Sequence, residues 1–166
     1  AVAADWVRVY DALPIARSHG VDEMRLIFAA RIPHAQHLAR MQLVDLVLDT
    51  PQCNGSSTIA DAMVVGVPTI ACLGEIFAQR MAASLLSAAG QDHLIARDLK
   101  QYESLANEFL RDPLRLVDER ARIKAARQHA LFYRPQDWVQ YLENGLLRAW
   151  RDCCDGRSPR AIEVRA

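Results

Sequence analysis

The sequence predicts an α/β fold in which a parallel sheet of about four strands is followed by C-terminal helices. Residues 44–48 and 69–72 are short apolar runs separated by a polar turn and a small-residue helix, the order of a βαβ unit. From residue 99 onward the pattern contains no strand. Helices are predicted there at about 99–111, 113–130 and 135–152. The sheet therefore lies in the first part of the chain.

The remaining predicted elements include two further strands. In order they are a helix at 3–19 interrupted by Pro14, a stop at Gly20, a strand at Arg25–Ala29, a helix at about 35–41, a helix from Ile76 to about Ala88, and a strand at His93–Ala96. The chain thus begins with a helix that ought to follow a strand. We therefore expect it to be amino-truncated relative to a complete doubly wound domain.

Composition narrows the function classes. The chain has 166 residues, of which 51% are hydrophobic, and its formal net charge is zero, so nothing favours a nucleic-acid partner. No apolar run approaches the ~20 residues of a membrane span, and residues 1–5 lack the features of a secretory signal. The four cysteines lack metal-ligand spacing, which favours reduced thiols and a cytoplasmic location.

The polar turn between the two apolar runs is the candidate ligand site. It lies at the carboxyl end of the first strand, where open α/β sheets hold their ligands. Ser57 and Thr58 then open a helix whose first backbone N–H groups are free to bind an anion. We predict a phosphate-bearing ligand here. The alternative is that these two hydroxyls form an ordinary N-cap, a role worth ~1 kcal/mol.

Residues 46–90, LVLDTPQCNGSSTIADAMVVGVPTIACLGEIFAQRMAASLLSAAG, resemble the catalytic C-terminal half of the O-linked N-acetylglucosamine transferases. The family pattern is matched at Leu48, Asp49, Thr50, Pro51, Asn54, Gly55, Thr58, Asp61, Gly66, Pro68, Gly74, Glu75, Arg80 and Ser84. Upstream, Pro33, His37 and Arg40 are in register with the same family. The resemblance covers roughly residues 6–152.

The resemblance implies a GT-B fold, in which two Rossmann-like halves flank a cleft, with this chain as most of the second half. Residues 1–98 would be the Rossmann-like nucleotide-sugar-binding part, 99–152 the helices that pack on it, and 153–166 a loosely ordered tail. The implied activity transfers N-acetylglucosamine from UDP-N-acetylglucosamine to Ser or Thr of proteins. The implied partners are a UDP-sugar, an acceptor protein or peptide, and a missing N-terminal Rossmann half or helical-repeat region.

The resemblance also implies roles for individual residues. Ser57 and Thr58 stand where the family binds the diphosphate, and Gly55 and Ser56 belong to the same turn. Asp61 matches a ribose-binding aspartate, and His37 matches a histidine beside the uridine. The backbone at Ile32 and His34 would meet the uracil edge. The alternatives without a ligand-binding role are a solvated first-turn carboxylate for Asp61 and a partly buried surface histidine for His37.

Departures from the family pattern leave alternatives open. The family's His-Thr-Thr is Ser56-Ser57-Thr58, its lysine near the base is His34, and its Leu-Trp is Met63-Val64. One alternative is therefore a non-catalytic or degenerate nucleotide-sugar-binding module. Another is a related transferase with a different donor, such as GDP-fucose.

The turn offers N–H donors, hydroxyls and a helix dipole rather than a cage of carboxylates, so we expect metal-independent transfer without a cofactor. No residue of this chain is identified as a catalytic base, which we expect to come from the missing half or from the acceptor site in the cleft. Arg80 fits a scaffold ion pair better than a substrate contact. The apolar stripe from Trp138 to Trp150 is predicted to be core packing.

Overall fold

The computed structural model describes residues 12–164, and the chain divides into compact units at residues 1–36 and 37–166. In the first unit, residues 12–18 form a helix (α1), which Gly20 follows with a φ of 70°. A 3-10 turn spans Glu23–Arg25, and Asp22 caps it by accepting the backbone N–H of Met24 at 2.9 Å. The predicted helix at 3–19 is thus confirmed from residue 12, and its earlier part lies outside the described residues.

The strand predicted at Arg25–Ala29 is wrong. Residues 26–33 have no regular secondary structure, and Ile27 is 88% exposed. A strand exists only where its backbone bonds to a neighbouring strand, and in the described chain residues 27–29 have no such neighbour. The β-prone composition of this run is therefore not sufficient to make it a strand.

Within residues 12–164 the sheet contains three parallel strands in the order β1-β2-β3, where about four were predicted. They are β1 (Val47–Leu48), β2 (Thr69–Cys72) and β3 (Ile95–Ala96). Val47 pairs with Thr69, and Ala71 pairs with Ile95. Every residue of β2 is buried, as expected for the middle strand of a sheet covered by helices.

The helices occur close to their predicted positions. They are α2 (His34–Met41), α3 (Ser57–Val65), α4 (Met81–Ala88), α5 (Leu99–Arg111), α6 (Pro113–Ala126) and α7 (Pro135–Cys154). Short 3-10 turns precede α4 at Phe77–Gln79 and β3 at Asp92–Leu94, where a longer helix and a longer strand were predicted. Asp98 and Asp112 cap α5 and α6 through their side chains, and these aspartates fix where both helices begin.

The core lies where α3, α4 and α5 pack against β2. Its largest fully buried side chains include Ile59, Met63, Ile70, Leu86, Leu94 and Phe109. Ala82 and Ala83 of α4 are also buried, and their small side chains allow that helix to lie close to its neighbours. The sheet and the three helices therefore form one continuous hydrophobic core beneath the polar turn.

The C-terminal helices fasten the βαβ unit through side-chain donors to its backbone carbonyls. The guanidinium of Arg120 in α6 donates to the carbonyl of Val44, just before β1, and that of Arg127 donates to the carbonyl of Val64. The hydroxyl of Tyr133 donates to the carbonyl of Met63 at 3.3 Å. Arg127 and Tyr133 thus donate to carbonyls in the last turn of α3, where a helix leaves carbonyls without their usual partners, and Met63 also accepts the backbone N–H of the C-cap residue Gly66 at 3.1 Å.

The side chain of Asn54 caps the N-terminus of α4, although Asn54 is not adjacent to that helix in the sequence. Its side-chain oxygen accepts the backbone N–H of Ala82, in the first turn of α4, at 3.3 Å. Its amide nitrogen donates to the carbonyl of Thr50 at 3.1 Å, and its backbone N–H donates to Ala78 at 2.8 Å. One buried amide thus joins the turn after β1 to the start of α4.

The apolar stripe of α7 is exposed, so its prediction as core packing is wrong. Trp138, Leu142, Leu146 and Trp150 are 54, 46, 60 and 67% exposed. Helix α7 packs against the 3-10 turn at Leu131–Tyr133, which is too short to cover a stripe of this length. Periodicity identified the apolar face correctly, but it contained no information about what covers that face.

The residues after α7 have no regular secondary structure up to residue 164. Arg157 and Arg160 donate to the carboxylate of Asp152 at 2.7 and 2.8 Å. These hydrogen bonds, with that from Arg160 the stronger influence, hold the pKa of Asp152 below its usual value. The proposed division of the chain at residues 98 and 152 stays a prediction.

Replacing Arg127 by alanine tests the link between α6 and α3. Loss of the charged hydrogen bond to Val64 should lower the free energy of unfolding by about 1–2 kcal/mol. Lys124→Ala, on the same helix and exposed, should change it by less than about 0.5 kcal/mol. Denaturant unfolding of the protein as its gene encodes it provides the measurement. Equal effects of the two variants would contradict the proposed link.

Replacing Asn54 tests the external cap of α4. Asn54→Ala removes both side-chain hydrogen bonds and should destabilise the protein by about 1–3 kcal/mol. Asn54→Asp keeps an acceptor for the N–H of Ala82, so it should be destabilised less than Asn54→Ala. The same denaturant titration compares them, and an aspartate variant no more stable than the alanine variant would contradict the capping role.

Candidate functional site

The candidate site is the turn that joins β1 to α3, and it starts at a firmly held residue. Asp49 is only 4% exposed, and its backbone N–H donates to the carbonyl of Ile70 at 3.0 Å. The hydroxyl of Tyr102, from α5, donates to the carbonyl of Asp49 at 2.7 Å. Burial raises the pKa of Tyr102 to about 12, so this hydroxyl remains a neutral donor at physiological pH.

The carboxylate of Asp49 closes the turn. Its Oδ1 accepts the backbone N–H of Gly55 at 2.7 Å. Its Oδ2 is buried and has no hydrogen-bond partner among residues 12–164. Burial raises the pKa of this carboxyl, while the N–H groups of Gly55 and Thr50 lower it. The N–H of Gly55 is therefore already engaged within the protein and is not a free donor.

Gly55 is required here by close approach rather than by an unusual φ. A Cβ at this position would lie 3.1 Å from Cγ1 of Ile59 and 3.4 Å from Oδ1 of Asp49. A larger residue would push the turn away from the carboxylate. The glycine thus lets the backbone come close enough to bond Asp49.

Helix α3 begins with donors that nothing else in the described structure uses. Ser56 is the N-cap residue, yet its side chain makes no capping hydrogen bond. None of the hydrogen bonds among residues 12–164 uses the backbone N–H of Ser57, Thr58 or Ile59. The side chains of Ser56, Ser57 and Thr58 are exposed. The ordinary capping role is therefore not what these hydroxyls perform in this structure, and the helix start is open to an anion.

His37 and Asp61 face each other beside this helix start. Nε2 of His37 lies 3.9 Å from Oδ2 of Asp61, and both side chains are about three-quarters buried or more. Nη2 of Arg40 lies 3.2 Å from Nδ1 of His37. Because a guanidinium only donates, Nδ1 is the acceptor there, which places the imidazole proton on Nε2, towards Asp61. The distance of 3.9 Å is too long for a hydrogen bond but suits an electrostatic contact.

The remaining predicted site residues belong to the first compact unit. Ile32 is partly buried, and His34 is exposed at the start of α2. Their suggested contacts with a base stay predictions. The structure thus groups the turn residues with the helix start, and separately brings His37 to Asp61.

Two residues of the site were not identified from the sequence. Tyr102 lies 53 positions from its partner Asp49, and a side-chain bond to a distant carbonyl has no local signature. The role of Asp49 as the acceptor for Gly55 was also missed, because the two residues lie six positions apart and their contact has no short-range sequence signature. The expected scaffold ion pair of Arg80 is wrong for the described residues: Arg80 is exposed, and the ion pairs among residues 12–164 do not include it.

Residues 12–164 contain neither a metal-binding cluster nor a membrane-spanning helix. No three His, Cys, Asp or Glu side chains in that range cluster in a way that could hold a metal ion. No helix of that range is long and apolar enough to cross a membrane.

Known proteins that resemble this chain are glycosyltransferases. It is 32% identical over 150 residues to the probable UDP-N-acetylglucosamine–peptide N-acetylglucosaminyltransferase SEC of Arabidopsis thaliana. It is 32% identical over 132 residues to the UDP-N-acetylglucosamine–peptide N-acetylglucosaminyltransferase of Caenorhabditis elegans. These alignments cover 90% and 80% of this chain but 15% and 12% of the relatives. The chain therefore spans about one seventh of their length.

A solved structure shares the fold. The structure of a mutant O-GlcNAc transferase from Thermobaculum terrenum superimposes with a TM-score of 0.81 at 27% sequence identity. The match covers 90% of this chain and 29% of that protein. It confirms that the three-stranded sheet and its helices correspond to part of a GT-B enzyme. The model of glycosyl transferase family 41 matches residues 10–142, most of the chain, and the chain therefore belongs to glycosyl transferase family 41.

Proposed function

We propose that this chain is the donor-binding part of a glycosyltransferase that moves N-acetylglucosamine from UDP-N-acetylglucosamine to Ser or Thr of proteins. The observation that carries the proposal is the start of α3, where exposed hydroxyls and unused backbone N–H groups stand at the carboxyl end of β1. The relatives named as UDP-N-acetylglucosamine–peptide transferases support the donor and the acceptor class.

The chemistry of transfer fits these groups. As the glycosidic bond to the sugar breaks, negative charge develops on the departing diphosphate. The N–H groups of Ser57, Thr58 and Ile59, two adjacent hydroxyls and the positive end of the helix dipole would stabilise that charge. The N–H of Gly55 contributes indirectly, since Asp49 already accepts it. These donors support a metal-independent reaction, which activity retained in excess EDTA would test.

Asp61 and His37 would hold the nucleoside. A carboxylate can accept hydrogen bonds from both ribose hydroxyls, and Asp61 lies one turn into α3, close behind the groups assigned to the diphosphate. The imidazole of His37, with its proton directed at Asp61, would orient that carboxylate and offer a ring face to the base. Ile32 and His34 are assigned to the uracil edge.

The whole enzyme would need further parts. The alignment with the first of these relatives covers only 15% of its length, which supports an additional Rossmann-like half or helical-repeat region as a partner. The exposed apolar stripe of α7 also supports an additional partner surface, because large apolar side chains are usually covered. The acceptor protein and the catalytic base are assigned to those parts. Four free cysteines support a cytoplasmic location.

The diphosphate assignment predicts weak UDP binding when the hydroxyls are removed. Ser57→Ala combined with Thr58→Ala should raise the Kd for UDP at least about tenfold, because two hydrogen bonds to a charged group are lost while the backbone donors remain. Titration calorimetry on the protein as its gene encodes it measures this. Ser104→Ala, exposed on α5, is the matched control and should leave the Kd unchanged.

The same titration distinguishes the donors. Tighter binding of GDP than of UDP would indicate a different donor nucleotide. No binding of either nucleotide by the folded protein would contradict the proposed function.

The ribose assignment predicts a loss of selectivity in Asp61→Ala. The unaltered protein should bind UDP at least about tenfold more tightly than 2′,3′-dideoxy-UDP, since hydrogen bonds to a carboxylate contribute ~1.5–3 kcal/mol. Asp61→Ala should bind the two nucleotides about equally, whereas Asp118→Ala, exposed on α6, should keep the preference. Calorimetry provides both affinities, and a preference that persists in Asp61→Ala would rule out the assignment.

A further inference from the structure

We infer that Asp49 is a positioning residue that sets the direction of the diphosphate-binding donors through its hydrogen bond to Gly55. The inference rests on the proposed function and adds a role for a residue that would not touch the nucleotide. Gly55 comes two residues before the first residue of α3, so fixing its N–H fixes the path by which the chain enters that helix.

Asp49 is suited to this role because its own backbone is held on two sides. Its N–H bonds the neighbouring strand at the carbonyl of Ile70, and its carbonyl receives the hydroxyl of Tyr102 from α5. The side chain therefore projects from a fixed point of the sheet. Because the side chain accepts the N–H of Gly55 at 2.7 Å, it holds the far end of the turn at a fixed position relative to the sheet.

The packing around Gly55, at the other end of this hydrogen bond, also restricts the backbone of the turn. A Cβ on Gly55 would lie 3.1 Å from Cγ1 of Ile59, so a side chain there would require Ile59 to shift by a few tenths of an ångström. Ile59 is itself 1% exposed and belongs to the core, so it cannot move away easily. Glycine and aspartate together thus hold the backbone in one arrangement before the free N–H groups begin.

The second carboxylate oxygen of Asp49, Oδ2, indicates that this residue does more than stabilise the fold. Oδ2 is buried without a partner in the described chain, and burial of an unpaired carboxylate oxygen is unfavourable for stability. A residue that served stability alone would not need a charge in this place. Retaining a strong acceptor despite that disadvantage is the pattern expected at functional sites.

Two substitutions at the same position test the inference. Asp49→Asn keeps a carbonyl oxygen that can accept the N–H of Gly55, whereas Asp49→Ala has no acceptor. Titration calorimetry with UDP on the protein as its gene encodes it should give a Kd for the asparagine variant within about twofold of the unaltered protein. The alanine variant should bind at least about fivefold more weakly. A ratio of the two Kd values below about threefold would overturn the inference.

Stability is controlled separately, since both variants leave buried groups unpaired and both should melt at lower temperature. Ile123→Val, a conservative change in the buried part of α6, provides a destabilised variant with an intact turn. Its Kd for UDP should equal that of the unaltered protein. If UDP affinity instead follows melting temperature across all three variants, Asp49 acts through stability alone and the positioning role is rejected.

Hydrogen exchange provides a second measurement that needs no nucleotide. Exchange of the Gly55 amide, followed by mass spectrometry of fragments covering residues 49–58, should accelerate at least about tenfold in Asp49→Ala and much less in Asp49→Asn. Equal exchange in both variants would overturn the inference. If UDP fails to bind the unaltered protein, the proposed function fails, and the exchange measurement still decides whether Asp49 positions the turn.

Discussion

The hydrogen bond from the backbone N–H of Gly55 to Asp49 is the constraint on which the site depends. Strand β1 has only two residues, so it sets the direction of the chain but does not by itself fix the position of the turn that follows. The bond returns the chain to the end of that strand after six residues and starts α3 directly above it. By fixing Gly55 relative to the end of β1, this closure also fixes where the first N–H groups of α3 lie. The site is therefore a property of the turn as much as of the helix.

The rest of the fold supports this arrangement from outside the turn. Tyr102 holds the end of β1, Asn54 joins the turn to the start of α4, and Arg120 fixes the entry to β1. All three contacts join a side chain to a backbone group that secondary structure leaves unsatisfied. The helices that follow the sheet thus have a definite purpose: they supply the core surface and the polar contacts that a three-stranded sheet cannot supply by itself.

The sequence was most informative where structure is local. The βαβ unit and the starts of α5 and α6 follow from apolar runs, a glycine stop and capping aspartates, all within a few residues. It was least informative where a partner decides the outcome. Residues 25–29 have the composition of a strand but pair with no other strand among residues 12–164, and the apolar stripe of α7 has the period of a core helix but stays exposed in the part of the chain that the structure describes. The contact of Tyr102 with Asp49 depends entirely on tertiary structure.

The dipole of helix α3 is compensated by a side chain at one end only. At its C-terminus the guanidinium of Arg127 bonds the carbonyl of Val64, so positive charge meets the negative end of the helix dipole. At its N-terminus the first turn contains no acidic residue, and the N-cap Ser56 does not bond the free N–H groups. An ordinary helix would gain ~1 kcal/mol from a side-chain cap there. The chain places three hydroxyl residues at this end and uses none of them as a cap in the described structure, which supports the proposal that an anion such as a diphosphate binds there.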